Sequence, residues 1–310
     1  MRYRRLGPDG PVVSEVGLGT WSMGGDEWGA SDDQISLDVL RAAVGAGVTM
    51  IDTADVYGLG HSEELIAEAV PADSEVVVVT KGGWDIYTDP PVVGGARRRY
   101  DAPYLEHAVT SSLKRLNRHQ LDVYLLHNPT AEDLRRDRPF QTLSRLRKTG
   151  LLRWVGASVG SEADARAALD AGIHVLEVPF NLARRWAAGV LEEARSRGVA
   201  ILAREPLERG LLTGKYLRNP VFPEGDHRAG KGSEWIEAAR GPAERVAAMA
   251  EKAGCPAAQI AIAYPLSFPA VTSAVVGART VAQLEANLQA VQVQLGGSER
   301  TWLETGGSLS

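Results

Sequence analysis

The sequence contains a single cysteine, Cys255, among its 310 residues. One thiol forms neither an intramolecular disulfide nor a cysteine-based zinc cluster, and low cysteine usage suits the reducing cytoplasm, where we expect this protein. The chain also has no run of about 18 apolar residues, the length that crosses a bilayer. No long apolar stretch follows the basic segment Met1–Arg5, so we expect no membrane span and no signal peptide.

Three further features lack their usual signals: a nucleic-acid or membrane-binding surface, a Rossmann domain and a metal site. The 34 Lys and Arg residues are outnumbered by 39 Asp and Glu residues, which argues against general binding to nucleic acids or anionic membranes. No Gly-x-Gly-x-x-Gly motif follows the first predicted strand, which disfavours a Rossmann domain. Metal-ligand spacing is absent from the four histidines His107, His119, His174 and His227. We therefore expect no metal site.

Short apolar runs alternate with amphipathic helical segments along the whole chain. The predicted strands cover residues 17–20, 48–52, 76–80, 121–126, 153–157, 174–178, 199–203 and 273–277. Strict strand–helix alternation indicates parallel strands, and eight such units in a chain of this length predict an α/β fold, the (β/α)₈ TIM barrel. We expect one domain over residues 1–310. It begins with an N-terminal β-hairpin, whose turn is Gly7–Gly10 and which precedes the first barrel strand.

Local signals predict where individual helices begin. Ser62 and Asp101 are the expected N-caps of the second and third helices, because their side chains accept hydrogen bonds from orphan amide groups. After an irregular stretch over 206–241, two helices are expected near 242–253 and 257–266.

Polar residues follow three of the buried strands at the point where each strand ends. Asp52 ends the run Val48–Ile51, Lys81 follows the second of these strands, and His127 follows the third. Tyr57 lies in the loop after Asp52. In a (β/α)₈ barrel the carboxyl ends of the strands share one face, which carries the chemistry. A buried carboxylate is costly without a cation, so Asp52 and Lys81 are natural partners.

These four residues, with their neighbours, resemble the catalytic tetrad of the aldo-keto reductases. The motifs that carry this resemblance are Asp52-Thr53-Ala54-Asp55-Val56-Tyr57-Gly58, Thr80-Lys81-Gly82-Gly83 and Leu126-His127-Asn128-Pro129. The resemblance extends from Gly17–Trp21 to Val276–Arg279 and Asn287, nearly the whole chain. It implies an NADP(H)-dependent oxidoreductase that reduces aldehydes and ketones to alcohols.

The resemblance also implies a role for each member of the tetrad. No side chain donates hydride, so a nicotinamide cofactor is required. Tyr57 is the expected general acid, and Lys81, held by Asp52, is expected to lower its pKa by favouring the phenolate. His127 is expected to orient the substrate oxygen. Taken alone, each of these residues would be interpreted as structural; their occurrence together in the family's order favours the catalytic interpretation.

The resemblance assigns a set of cofactor-binding residues as well. They are Thr20, Trp21, Asp52, Ser158, Glu177, Arg204, Pro206, Leu207, Gly210, Leu212, Lys215, Gly277, Arg279, Gln283 and Asn287. Three positions depart from the family's pattern: Val159 replaces an asparagine, Glu177 a glutamine, and Arg204 a tyrosine that stacks on the nicotinamide. Glu177 can still accept a hydrogen bond from the nicotinamide amide. Arg204 beside an oxidised, cationic ring would be unfavourable, which favours reduction.

Two of these groups are expected at the rest of the dinucleotide. The segment Pro206–Lys215 resembles the part of the family that lies along the pyrophosphate, and its alternative interpretation is an ordinary glycine-rich loop. Gly277–Arg279, with Gln283 and Asn287, resembles the adenosine and 2′-phosphate site at a helix start, where anions are favoured. Without the resemblance, Arg279 would be interpreted as a solvated arginine.

Tryptophans in the loops supply the expected substrate pocket. Trp21 and Trp84, with His127, are its predicted lining, since aromatic walls suit a small carbonyl substrate. Trp28 fits either this pocket or the packing of the barrel rim. The run Arg97–Arg99 fits either recognition of an anionic substrate or a solvated loop.

Two other functions remain open from the sequence. One is an NAD(P)-dependent sugar (aldose) dehydrogenase that works mainly in oxidation. The other is a cofactor-binding, redox-sensing regulatory protein, against which the intact tetrad weighs. The natural substrate, the strength of the NADPH preference and the oligomeric state do not follow from the sequence.

Overall fold

Eight parallel strands close into a barrel in the computed structural model, which describes residues 1–25, 28, 31–88, 97–216, 221–222 and 225–307. The barrel strands are β3 Val16–Gly19, β4 Met50–Asp52, β5 Val77–Gly82, β6 Leu121–His127, β7 Leu152–Ser158, β8 Val175–Pro179, β9 Ala200–Arg204 and β10 Val271–Gly277. Strand β10 pairs with β3 and closes the ring. The predicted (β/α)₈ barrel is therefore confirmed.

Helices follow the barrel strands. They are α1 Asp33–Gly45, α2 His61–Ala69, α3 Ala102–Arg115, α4 Ala131–Asp137, α5 Pro139–Lys148, α6 Glu162–Asp170, α7 Ala188–Ser196, α8 Gly232–Ala253, α9 Ala257–Leu266, α10 Val281–Leu288 and α11 Gly297–Thr305. Among the described residues, none of these helices combines the length and the apolar character needed to span a membrane.

The predicted N-terminal hairpin is present and plugs one end of the barrel. It consists of β1 Tyr3–Arg5 and β2 Val12–Ser14. Leu6 and Val13 are buried in the same apolar cluster as the side chains inside the barrel. Apolar burial of this kind contributes about 25 cal/mol per Å², so the hairpin stabilises the barrel floor.

The barrel interior is closely packed. Met50 reaches so far across it that a Cβ added to Gly17 would lie 2.5 Å from the Met50 Cε atom. A larger residue at position 17 would therefore require the Met50 side chain to move within a closely packed interior. The other members of this interior cluster are Val77, Val79, Val123, Leu125, Val175, Ala200, Leu202 and Val275.

Strand register places several polar residues at one level of the sheet. His127 on β6 is the direct partner of Ser158 on β7, and Ser158 is the partner of Glu177 on β8. We call these three residues the polar row. On the next strand, β9, Arg204 is the partner of Pro179 on β8 and of Val275 on β10.

The structure corrects some of the local predictions. Asp101 is the N-cap of α3, as predicted, and its carboxylate accepts a hydrogen bond from the Tyr104 amide. Ser62 is not a cap: α2 begins at His61 after the left-handed residue Gly60. The Ser62 hydroxyl instead donates to the Thr20 hydroxyl over 2.7 Å.

Helix boundaries in the second half of the chain also differ. The helix expected near 242–253 begins at Gly232, ten residues earlier, and contains Pro242 in its interior. Helices α4 and α11 have no counterpart in the sequence analysis.

Candidate active site

Lys81 is a buried cation in an anionic environment. Its Nζ atom donates to Asp52 Oδ1 over 2.6 Å and to the Thr53 carbonyl over 2.9 Å. Glu177 Oε2 lies 3.5 Å from the same Nζ atom. Burial alone would lower the pKa of Lys81, but Asp52 and then Glu177 outweigh it and raise that pKa. Lys81 therefore remains an ammonium ion throughout the physiological pH range.

Tyr57 lies in a tight turn directly after β4. The turn runs through Gly58 and Leu59 at φ values of 60° and 55° and Gly60 at 101°. A Cβ at Gly58 would lie 2.5 Å from the Gly24 carbonyl oxygen, so only glycine allows this close approach of the two loops. The turn thereby fixes the backbone from which Tyr57 projects.

The Tyr57 side chain faces Lys81 at the mouth of the barrel. Lys81 Nζ lies 5.4 Å from the centroid of the Tyr57 ring, and Trp21 stacks on the ring with a centroid distance of 6.2 Å. Burial raises the pKa of Tyr57, Lys81 opposes this change, and Asp52 and Glu177 reinforce it. Lys81 acts in the predicted direction, but the net shift is upward because burial outweighs it.

His127 completes the group at the same face. Its ring centroid is 6.0 Å from that of Tyr57 and 6.1 Å from that of Trp84. Burial, followed by the positive charges of Lys81 and Arg204, holds the pKa of His127 well below its usual range. The imidazole is therefore neutral at physiological pH and can donate one hydrogen bond.

Ser158 and Glu177 form a buried hydrogen-bonded pair beside this group. The Ser158 hydroxyl donates to Glu177 Oε1 over 3.0 Å. Some of the polar atoms around them are buried and, within the described residues, make no hydrogen bond: Asp52 Oδ2, His127 Nδ1, Glu177 Oε2 and Arg204 Nε. Glu177 Oε2 and Arg204 Nε still lie in ion pairs, with Lys81 and Glu177 respectively. Buried polar atoms normally have hydrogen-bond partners, so these atoms make this place a candidate site for a polar ligand.

The remaining predicted cofactor residues form two groups. Thr20 donates from its hydroxyl to the Asp52 carbonyl over 3.0 Å, while Pro206, Leu207, Gly210 and Leu212 follow β9 in the turn that leads to Gly214. Pro206 and Leu212 are buried. Lys215 is exposed, and its ammonium packs 5.2 Å from the Tyr216 ring centroid.

The second group lies between β10 and α10. The Arg279 amide donates to Gln283 Oε1 over 2.9 Å, and Asn287 donates to the Gly277 carbonyl over 3.3 Å. The exposed Arg279 guanidinium also donates to the Trp28 carbonyl. Gly277, Arg279, Gln283 and Asn287 are thus brought together, as the resemblance implies.

The sequence analysis missed a second layer around Trp21 and Trp28. His227 packs against both indoles, with ring centroids 4.7 Å and 4.5 Å away. Arg209 lies 5.2 Å from the Trp21 ring centroid. These residues fall in the stretch 206–241, whose irregular pattern gives no signal of what it covers.

The run Arg97–Arg99 is engaged by carboxylates of its own loop and by neighbouring residues. Arg97 lies 3.6 Å from Asp85, and Arg99 bonds Asp101 at 3.0 Å. Arg98 donates to the Asn128 carbonyl over 2.7 Å. These contacts favour the structural interpretation of the arginine run over recognition of an anionic substrate.

A buried ion pair between α2 and α3 lies close to the loop of Tyr57. Glu63 on α2 is fully buried, and its carboxylate accepts hydrogen bonds from Arg115 on α3 at 2.6 Å and from Thr80 at 2.5 Å. Arg115 also donates to the Tyr87 hydroxyl, which in turn donates to Asp55 over 3.3 Å. The pair thus joins both helices to the residues next to Lys81 and Tyr57.

The fold and site together define a class: a parallel (β/α)₈ barrel with a buried Asp–Lys pair, a tyrosine and a neutral histidine at the carboxyl ends of its strands. The sequence model of the Aldo/keto reductase family matches residues 15–301. The chain belongs to the aldo/keto reductase family. Enzymes of this family are oxidoreductases that act on small carbonyl compounds or sugars and generally use a nicotinamide cofactor.

Individual relatives agree with this assignment. Aldo-keto reductase YhdN of Bacillus subtilis is 33% identical over 232 residues, which cover 73% of this chain and 68% of that protein. The L-glyceraldehyde 3-phosphate reductase of Escherichia coli O157:H7 is 30% identical and covers 94% and 88%. Among solved structures, a glycerol dehydrogenase from Gluconobacter oxydans superposes with a TM-score of 0.82 at 27% identity and covers 97% and 93%.

Proposed function

We propose that this protein reduces aldehydes and ketones to alcohols with NADPH, and that Tyr57 is the proton donor. The observation that carries the proposal is the arrangement around Lys81, whose Nζ atom is 2.6 Å from Asp52 Oδ1 and 5.4 Å from the Tyr57 ring centroid. Family membership supports the same reaction class.

The residues present fit a nicotinamide cofactor. The Glu177 Oε2 atom makes no hydrogen bond within the described residues, and the Ser158 hydroxyl bonds the other oxygen of the same carboxylate, so Oε2 suits the donor NH₂ of a carboxamide. Arg279, Gln283 and Asn287 would hold the adenosine end. When bound, the cofactor supplies the hydride that no side chain can provide.

The side chains of the site handle the proton and orient the substrate. Tyr57 keeps its proton at neutral pH because burial raises its pKa. Lys81 stabilises the charge that forms on the phenol oxygen as the proton leaves. Neutral His127 donates a hydrogen bond to the carbonyl oxygen, which places that oxygen beside the Tyr57 hydroxyl. Trp21, which stacks on the Tyr57 ring, and Trp84, beside the His127 ring, flank this point and form apolar walls for the substrate.

A substrate panel tests the proposal. The purified protein is mixed with NADPH and with aldehydes, ketones, sugars and phosphorylated sugars, including nitrobenzaldehyde as a generic aldehyde, and the loss of NADPH absorbance is recorded. We expect turnover with at least one simple aldehyde. Cofactor binding without turnover of any carbonyl or alcohol would contradict the proposal and favour a regulatory protein.

Oxidation of a polyol or sugar is the second candidate function. It is favoured by the similarity to a glycerol dehydrogenase over 97% of this chain. The same assay run with NADP⁺ and polyols at neutral pH separates the two candidates. Faster oxidation than reduction at matched concentrations would establish the second.

Arg279→Ala tests the choice of cofactor. NADPH and NADH differ by a 2′-phosphate, and a guanidinium binds phosphate through two-point hydrogen bonds. With one charge-assisted contact of about 1.5–3 kcal/mol, we expect the wild type to prefer NADPH by roughly ten- to hundred-fold. The variant should lose most of this preference, as measured by tryptophan fluorescence quenching with each cofactor.

The control for this experiment is Arg153→Ala. Arg153, like Arg279, is an exposed arginine; its guanidinium lies 4.7 Å from the Trp154 ring centroid. We expect the Arg153→Ala variant to leave both dissociation constants unchanged. Equal weakening of NADPH and NADH in Arg279→Ala would show that Arg279 does not read the 2′-phosphate.

A further inference from the structure

Glu177 places a second carboxylate beside the active-site lysine. The Glu177 side chain is almost fully buried, and its Oε2 atom is 3.5 Å from Lys81 Nζ. Asp52 Oδ1 lies 2.6 Å from the same nitrogen. Two buried carboxylates therefore face one ammonium ion, and an uncompensated buried charge is strongly unfavourable. The site consequently needs a second cation.

Arg204 supplies that cation from the next strand. Its Nε atom lies 3.6 Å from Glu177 Oε1, and its guanidinium also pairs with Glu205. Glu205 has two further partners, Arg209 at 2.9 Å and Arg184 at 3.5 Å. Burial opposes ionisation of Glu205, but these arginines, led by Arg204, lower its pKa to about 2. Glu205 is thus paired with three arginines. Because two of them are not Arg204, the Arg204 guanidinium is not neutralised by Glu205 alone and can also pair with Glu177.

The titratable groups that face the site come from five strands, β4, β5, β6, β8 and β9, and from the loop after β4. Asp52 and Glu177 supply two carboxyl groups, and Lys81 and Arg204 supply two cations. Burial, followed by Glu177, raises the pKa of Asp52 well above its usual range, and Lys81 opposes this change. The other titratable groups there are Tyr57, which is protonated, and His127, which is neutral. The departures from the family's pattern at positions 177 and 204 therefore occur together, as an ion pair between neighbouring strands.

We propose that Glu177 is a positioning residue that acts through Lys81. Its carboxylate interacts with the Lys81 ammonium together with Asp52 and forms an ion pair with Arg204. Through these contacts Glu177 sets the pH above which Tyr57 no longer donates its proton. This inference rests on the proposed function of Tyr57. It assigns to Glu177 a role beyond binding the nicotinamide amide.

The sign of the effect follows from charge. A nearby carboxylate disfavours the Tyr57 phenolate, so removal of that carboxylate lets Tyr57 lose its proton at lower pH. A general acid works only while protonated, so carbonyl reduction declines as pH rises through the pKa of Tyr57. Interactions between unit charges several ångströms apart in a protein shift pKa values by about one unit or more. The alkaline limb of the rate profile should move by that amount.

The first experiment compares pH profiles of kcat/KM for carbonyl reduction in the wild type, Glu177→Gln and Glu177→Asp. Glutamine keeps the shape and loses the charge, whereas aspartate keeps the charge and shortens the side chain. We expect the alkaline limb of Glu177→Gln to lie about one pH unit lower and that of Glu177→Asp to stay near the wild type. An unmoved limb in Glu177→Gln, or an equal movement in both variants, would overturn the inference.

The second experiment needs no activity. Urea unfolding midpoints are measured for Glu177→Gln, Arg204→Gln and the double variant at neutral pH. Each single variant leaves one buried charge unbalanced, whereas the double variant leaves the neutral Asp52–Lys81 pair. We expect the double variant to lose clearly less stability than the two single losses added together. Additive losses would show that the two side chains do not balance each other.

The two experiments separate the inference from the proposed function. A protein that reduces no carbonyl substrate would refute the proposed function, and the unfolding cycle would still decide whether Glu177 and Arg204 are coupled. An active enzyme with additive unfolding losses and an unmoved alkaline limb would refute the inference alone.

Discussion

Tyr57→Phe is expected to lower the rate of carbonyl reduction by about 10²-fold or more, the usual scale of general acid catalysis. Phenylalanine keeps the ring that stacks on Trp21 and faces Lys81 but has no proton to donate. Affinity for NADPH should therefore change little. Single-turnover rates measured with saturating NADPH and an aldehyde report the chemical step and avoid limitation by product release.

The control for this variant is Tyr3→Phe, which removes the same hydroxyl from an exposed tyrosine of the N-terminal hairpin. We expect wild-type rates from it. If Tyr57→Phe retained near wild-type single-turnover rates, another group would have to be the proton donor.

Arg115→Met is expected to destabilise the folded protein by about 3–5 kcal/mol, the range measured when one partner of a buried ion pair is removed. Glu63 is fully buried, and its contact with Arg115 is 2.6 Å long. Methionine preserves apolar packing along α3 but leaves the carboxylate without its cation. The free energy of unfolding, from urea titration at neutral pH, measures the loss.

Arg166→Met is the matched control, because the ion pairs of Arg166 with Glu162 and Glu193 are exposed to solvent. Surface pairs of this kind contribute about 0–1 kcal/mol.

Much of the fold follows from local patterns in the sequence. The alternation of apolar runs and amphipathic segments predicted the barrel because each unit must bury one face against its neighbours. The change from apolar to polar residues at Asp52 indicated a strand end, because the buried part of a barrel strand is apolar. Gly241-Pro242 is a typical break signal, yet α8 continues through both residues. Packing in the folded protein overrides that local preference. A short window of sequence contains no information about this packing.

Contacts between strands account for what the sequence analysis missed. Substitution of the family's glutamine by Glu177 and of its tyrosine by Arg204 looked like two separate departures. Their 3.6 Å contact depends on the pairing of β8 with β9 and on the rotamers of both side chains. The Thr53 carbonyl that accepts a hydrogen bond from Lys81 is a backbone atom, and every residue has one. A hydrogen-bond acceptor of the backbone therefore cannot be predicted from the type of residue at that position.

The polar row of His127, Ser158 and Glu177 has a consequence for protein engineering. These side chains stand at one level on three adjoining strands, whereas Trp84 and Trp28, which surround the mouth, lie on the loops between elements. Exchange of the loop segments around Trp84 or Trp28 can therefore change which molecule enters without moving the polar row, provided that the turn of Tyr57 is left intact. Insertion of a single residue within β6, β7 or β8 would instead turn the following side chains to the opposite face of the sheet. Libraries that seek new substrates belong in the loops, and the strands are best left intact.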